Sequence, residues 1–276
     1  MTTLAPTRTE PAAVTAPRRP VRVLRAVALT VATATALVAF WSIDIQWSRL
    51  ASLPGQVVHY LDLMFSAPSW DKLPEALRQT LRSVEMAWLG TVLGIVVSFP
   101  LSFLAARGYG PAPVRGALRG LFSLIRAVPE IIIAIIILSV TGLTPLTGAL
   151  ALAVNSVGTL GKWGYESVEG VDHGPVEAAR AAGGSTVEAL RWGVWPSAAT
   201  DFFSFWLYRF EINVRASAVL GLIGVGGIGD MLTSYTQYRE WSTVGVLLIV
   251  VVVVTMAIDS VSAAVRRRLT DGSTGR

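Results

Sequence analysis

The feature that most constrains this chain is the length of its uninterrupted apolar blocks. IIIAIIILSV (131–140) and VGVLLIVVVVVTMAI (244–258) carry no charge. With their flanks they approach the roughly 20 residues a helix needs to cross a bilayer. A buried strand of a soluble α/β protein usually runs for about four to eight residues, so the blocks argue for spans rather than sheet. Only 15% of the residues are charged, against roughly a quarter in soluble domains, which leaves too little polar surface to cover a water-exposed globule. The pattern predicts an all-α membrane protein with six transmembrane helices.

The net charge of +5 raises nucleic acid as a partner, but its distribution argues otherwise. Basic residues sit beside apolar segments, as in RRPVRVLR (18–25), RGALR (115–119) and RRR (266–268). That is the flanking pattern of a membrane protein whose cytoplasmic loops are positive, not a basic stripe interleaved with exposed aromatics. Nucleic acid is therefore not an expected partner, and membrane lipid is. The absence of cysteine excludes disulfides, thiol catalysis and cysteine metal sites.

Residues 1–20, rich in Thr, Pro, Ala and Arg, are expected to be a disordered cytoplasmic tail. The first apolar segment lies within 21–45. It has a signal-peptide reading, but the apolar stretch runs on to Trp41 and Ile43, which favours an uncleaved span. Residues 46–78 are expected to be an extracytoplasmic or interfacial segment, with GQVVHYLDLMF (55–65) as an interfacial helix. A five-helix core fills 79–265, with spans at about 79–105, 117–140, 146–163, 200–223 and 242–264, and a long cytoplasmic stretch at 164–198. A cytoplasmic tail covers 266–276. With the N-terminus inside, the inner segments hold most of the Arg and Lys. The outer ones hold only Arg49, Lys72, Arg78 and Arg239, so both termini are expected in the cytoplasm.

The 164–198 stretch is helix-prone at its centre. Pro175 suits a first helical turn, Glu177-Ala-Ala-Arg-Ala-Ala continues it, Gly183-Gly184 ends it, and Ser185 or Thr186 caps a second helix. This resembles the EAA loop of ABC importer permeases, whose pattern is Glu-Ala-Ala, three residues, Gly, nine residues, Ile, any residue, Leu-Pro. Glu177, Ala178, Ala179, Gly183 and Pro196 match it, while Gly193 replaces Ile and Trp195 replaces Leu. The resemblance implies a coupling helix that inserts into a groove on a separate ATPase. The chain has no GxxxxGK[ST] of its own.

Three further stretches resemble the phosphonate-type permease family (the PhnE family, with a MetI-like, type I permease fold): GKWGYESVEGVDHGPVEAARAAG (161–183), LIRAVPEIIIAII (124–136) and LYRFEINVRASAVLGLIGVGGIG (207–229). The likeness covers nearly everything from about residue 50 onward. It implies a second permease copy, two ABC ATPase subunits carrying ATP and magnesium, and an extracytoplasmic substrate-binding protein. The setting it implies is a bacterial cytoplasmic membrane, with no cofactor in this chain. The implied cargo is phosphonate or a related phosphorus oxyanion such as phosphite or phosphate. A methionine- or other amino-acid-type permease shares the loop but should lack the full RFEINVR signature.

The residues alone mark other positions. Arg126, Glu130, Arg209, Glu211 and Arg215 fall in or near apolar spans, where a central charge costs roughly 2.5–3.5 kcal/mol. Arg126 and Glu130 are four apart, as are Glu211 and Arg215, so each pair is predicted to meet on one helix face. Arg209 has no obvious acidic partner. Together with Pro129 and with Asn213, which can hydrogen-bond across helices, these residues form the candidate pathway or gate, and a cationic lining suits an oxyanion. The other reading is that the charges serve packing alone, as in a membrane scaffold. The glycines Gly224, Gly226, Gly227 and Gly229 are expected to permit close packing or a flexible gate, since a dinucleotide loop would need a βαβ setting. An intramembrane enzyme would need a nucleophile–base or metal set within the spans, and both His residues, His59 and His173, lie outside them. No catalytic residue or metal site is expected.

Overall fold

The computed structural model describes residues 22–42 and 47–271; the 1–20 tail and the last residues of the C-terminal tail lie outside them. The chain divides into two compact units, 1–56 and 57–276. In the first, α1 (Arg22–Ser42) carries no charged residue after Arg25, and its residues 24–42 are all exposed, as expected of a helix surrounded by lipid. Its hydroxyls are satisfied internally: Thr30 donates to the Ala26 carbonyl at 2.9 Å and Thr35 to that of Val31 at 2.8 Å. Next comes α2 (Trp47–Phe65), which contains Pro54 and crosses the boundary between the units.

Every regular element among the described residues of the second unit is a helix. A short 3₁₀ turn (Trp70–Lys72) leads into α3 (Leu73–Ala105), followed by α4 (Ala112–Ala127), α5 (Glu130–Thr141) and α6 (Pro145–Gly170). The stretch expected to be cytoplasmic forms α7 (His173–Ala181) and α8 (Thr186–Ala189), with a π-helical turn (Leu190–Val194) joining α8 directly to α9 (Trp195–Gly221). The unit ends with α10 (Ile228–Gln237) and α11 (Trp241–Asp271). The predicted second short helix is thus continuous with the fifth span. Likewise, 266–271 belongs to α11 rather than to a separate tail.

Among the described residues, three helical segments are long and apolar enough to cross a bilayer: Leu24–Ser42, Trp70–Ala105 and Trp241–Leu269. A fourth exists if α4 and α5 count as one span. The helices α6 and α9 have the length, 26 and 27 residues, but carry Asn155, Lys162, Glu166 and Glu169 on one and Arg209, Glu211, Asn213 and Arg215 on the other.

The span predicted at 117–140 is not one straight helix. The α4 and α5 axes differ by 93°, because Pro129 has no N–H to continue α4 and restricts Val128 to an extended conformation (φ −92°, ψ 123°). Non-helical backbone at membrane depth is tolerated only where protein buries it or it lines a cavity.

At the centre, α3 and α6 run side by side in the same direction and touch through small residues. A Cβ on Gly90 would come within 2.7 Å of the Leu152 Cβ, and one on Gly164 within 2.7 Å of the Ser102 Cβ. Close backbone approach through small residues is how helices gain dispersion contact where lipid offers no hydrophobic drive. Antiparallel to both runs α9, placing Phe202 beside Phe99 and Phe103 at one end and Asn213 beside Thr91 further along.

Candidate functional site

The loop between α6 and α9 is built from local chemistry. Asp172 opens α7 by accepting from the Gly174 N–H at 3.1 Å. Gly183 closes it in the left-handed region (φ +85°), with Gly183 N–H donating to the Arg180 carbonyl at 2.9 Å and Gly184 N–H to that of Ala179 at 3.0 Å. That is the paired hydrogen bonding of a glycine-terminated helix. Ser185 then caps α8 reciprocally with Glu188: the Glu188 N–H donates to the Ser185 Oγ at 3.3 Å and the Ser185 N–H to the Glu188 carboxylate at 2.7 Å. Those bonds to the charged form hold the Glu188 carboxyl below its usual range.

Only Val176 of α7 is buried, packed with Val168, Ala189, Val194 and Phe202. Glu177, Ala178 and Gly183 are exposed, and Ala179 is half-buried, so the loop presents a face of small side chains on a rigid base. The two motif departures have a structural cause. A Cβ at Gly193 would lie 2.8 Å from the Val176 Cα, so glycine lets the end of the loop lie directly on α7. Trp195 enters an aromatic cluster, with ring centroids 5.6 Å from Phe99 and 6.0 Å from Phe202, and Pro196 sits in the first turn of α9. Beneath the loop is an open cavity of about 450 Å³, lined by Arg107, Tyr109, Glu169, His173 and Arg180 among others. Burial pushes the Tyr109 hydroxyl up. His173 is exposed at the start of α7.

Deep in the bundle, α9 meets α3 and α6 through a polar cluster. Arg209 (5% exposed) donates from Nε to the Ser156 Oγ at 2.9 Å. Asn213, fully buried, donates from Nδ2 to the Ser156 Oγ at 3.0 Å and to the Thr91 Oγ1 at 2.8 Å. Glu130, the first residue of α5, accepts from the Asn155 Nδ2 at 3.3 Å and acts on Arg209 through its charge.

The predicted pairs are rearranged. The helix break lies between Arg126 and Glu130, leaving Arg126 exposed on the last turn of α4 and turning Glu130 toward α6. Glu211 and Arg215 do not pair with each other. The Arg266 Nη2 reaches Glu211 at 2.5 Å and the Arg215 Nη1 reaches Asp259 at 3.2 Å, so both bridges cross from α9 to α11. Two helices that hydrogen-bond across lipid gain more order than one helix neutralising itself.

Three comparisons place the chain. The family model described as "Binding-protein-dependent transport system inner membrane component" matches residues 98–271. The chain belongs to this family. It is the permease subunit of a binding-protein-dependent ABC transporter, an inner-membrane component and not an enzyme. Relatives of this permease include the phosphite transport system permease protein PtxC of Stutzerimonas stutzeri, 38% identical over 192 residues (69% of this chain, 70% of that protein). The phosphate-import permease protein PhnE of Mycolicibacterium smegmatis is 35% identical over 204 residues, which are 73% of this chain but 38% of that longer protein. The permease also shares the fold of the inward-facing MetNI methionine ABC transporter. There the TM-score is 0.62 at 18% identity, covering 70% of this chain and 94% of the solved one. The MetI-like fold expected from the motifs is therefore observed, and membership in the family implies ATPase and binding-protein partners.

Several residues that shape the permease were not singled out in its sequence. Asn155 and Ser156 form a polar pair inside the otherwise apolar ALALAVNSVG, and Asp259 is a lone acid in the last span; each was legible as an intramembrane polar group in need of a partner. Thr91 and Ser83 carried no such signal, since hydroxyls are routinely satisfied by their own helix. The glycine run divides into two kinds. Gly224, Gly226 and Gly227 have positive φ and form the turn after α9, whereas Gly229 lies against Gly221 and the Ala218 carbonyl. The Ile228 N–H donates to the Ser83 Oγ at 3.0 Å, which pins that turn to α3. Among the described residues no group of three or more metal-ligating side chains occurs.

Proposed function

We propose that this permease imports a phosphorus oxyanion (phosphonate, phosphite or phosphate) and that the Arg209–Ser156–Asn213 cluster lies on its route. The observation that carries the reading is a buried guanidinium on α9, at the level of the α4–α5 break, in a chain whose relatives include a phosphite permease and a phosphate-import permease. A cation deep in the bundle is costly without a counter-charge. Glu130 supplies part of it without a direct ion pair among the described residues, and an oxyanion in transit supplies the rest.

In this reading the chain spans the membrane six times, as α1, α3, the bent α4–α5 pair, α6, α9 and α11, with both termini in the cytoplasm. Two copies face each other, two ATPases bind ATP and magnesium below, and a binding protein delivers cargo from outside. Glu177, Ala178, Ala179 and Gly183 present the coupling surface, and Pro196 starts the span that carries the movement to the cluster. The continuity of α8, the π-turn and α9 supports this: a push on the loop is delivered along the helix that carries Arg209.

The test is ATP-driven uptake by proteoliposomes holding the permease, its ATPase and its binding protein. Labelled phosphite, methylphosphonate and phosphate are offered against labelled methionine. Uptake of at least one phosphorus oxyanion, reduced by Arg209→Ala, is expected. Methionine uptake without any oxyanion uptake would assign the chain to the amino-acid importers instead.

A further inference from the structure

We infer that the unpaired guanidinium nitrogen of Arg209 and the unpaired amide oxygen of Asn213 form a transit site for an oxyanion that still carries a hydroxyl, and so reject sulfate. The inference rests on the pathway reading of this cluster given above.

Arg209 Nη2 and Asn213 Oδ1 are sealed from solvent and have no hydrogen-bond partner among the described residues. A buried donor or acceptor left unmade incurs the desolvation cost of that group in full, and such groups in native proteins commonly mark a site of action. The two are one helical turn apart on the same face of α9. Both side chains are anchored to one atom, the Ser156 Oγ. That oxygen also donates to the Leu152 carbonyl at 2.6 Å, so its single donor and both lone pairs are engaged. It fixes the orientation of both side chains and has nothing left to offer a third group. Glu130, the carboxylate whose charge Arg209 feels, is held by Asn155 and makes no direct ion pair with Arg209 among the described residues, so Nη2 stays available.

The polarity of the two free atoms is informative. A guanidinium nitrogen only donates, and an amide oxygen only accepts. A ligand that satisfies both must bring an anionic oxygen and an O–H together. Inorganic phosphate carries both in either of its neutral-pH forms, and a monoprotonated phosphonate does too. Sulfate at neutral pH has no proton to give, so it would leave the Asn213 oxygen buried and unmet. Glu130 opposes any anion at the site and keeps binding weak, as a station on a conduction route must be if cargo is to leave it.

The test uses the intact permease–ATPase complex in detergent at neutral pH, without the binding protein. Inorganic phosphate and sulfate are titrated separately, with the Arg209→Met complex setting the background from other anion sites. Phosphate should bind above that background and about tenfold or more tighter than sulfate. Asn213→Leu, which keeps the volume and removes the acceptor, should abolish the difference without loss of dimer on size exclusion. Equal affinity for the two anions, no binding above background, or a difference that survives Asn213→Leu would each overturn the site. Oxyanion uptake by proteoliposomes separates the two claims. Uptake together with equal phosphate and sulfate affinity removes this inference alone, and absence of uptake removes the functional reading beneath it.

Discussion

Gly193 lies so close to the α7 backbone that a Cβ there would stand 2.8 Å from the Val176 Cα and 3.0 Å from its nitrogen. The ABC importer motif has Ile at this position, so restoring the consensus here should do harm. Gly193→Ile must push α7 away from the end of the loop, and overpacking of this kind typically costs about 1–3 kcal/mol. The expected outcome is a lower melting temperature for the purified complex, together with more ATP hydrolysed per substrate moved. An unchanged melt would show that α7 yields freely.

The proposed coupling face makes a separate prediction, because the Glu177 and Ala178 side chains are exposed. Glu177→Lys should leave membrane insertion and dimer yield unchanged while uncoupling ATP hydrolysis from uptake. Gly183→Leu acts by another route. It forces a side chain into the left-handed region at φ +85°, at a cost of about 1–2 kcal/mol, and loosens the end of α7. Normal transport by both variants would remove this loop from the coupling path.

How much of this was readable beforehand depended on whether the deciding interaction was local. The loop's helix, its glycine stop and its Ser185 cap follow from residues within a few positions of one another, and all are found as expected. The charge pairs failed for the opposite reason. Spacing of four brought Glu211 and Arg215 together on paper, but each found a partner on α11, more than forty residues away. Arg126 and Glu130 were separated by the bend at Pro129, whose presence was visible but whose angle is set by packing on α6. The polar cluster was half legible. Arg209 and Asn213 stood out as polar groups in an apolar span, and the Asn155-Ser156 pair was visible as polar, whereas Thr91, which also holds Asn213, resembled any hydroxyl that bonds back to its own helix.

The rearranged pairs can be tested by double-mutant cycles on the stability of the detergent-solubilised permease. Glu211→Gln combined with Arg266→Met should show a coupling energy of about 0.5–3 kcal/mol, the range for residues in contact. Glu211→Gln combined with Arg215→Met should be additive within about 0.5 kcal/mol, since those two belong to different bridges. Coupling between Glu211 and Arg215 instead would restore the single-helix pairing.

The glycines after α9 yield the last prediction, because the structure gives them different tasks. Gly229 faces the Ala218 carbonyl oxygen and the Gly221 Cα, and Gly221 faces Gly229 in return. A methyl group on either must separate α10 from α9, because the neighbouring atoms belong to the backbone and cannot rotate aside. Gly226 is different: a Cβ there would meet nothing nearer than Pro145 at 3.6 Å, so its constraint is conformational, at φ +94°. Gly229→Ala should therefore destabilise the permease more than Gly226→Ala, for which about 1–2 kcal/mol of left-handed strain is expected. The order is read from melting temperatures in detergent. Displacing α10 should also weaken the bond from the Ile228 N–H to Ser83, so amide exchange at Ile228 should quicken in Gly229→Ala. If Gly226→Ala were the more damaging change, the run would serve as a flexible turn and not as the seat on which α10 rests.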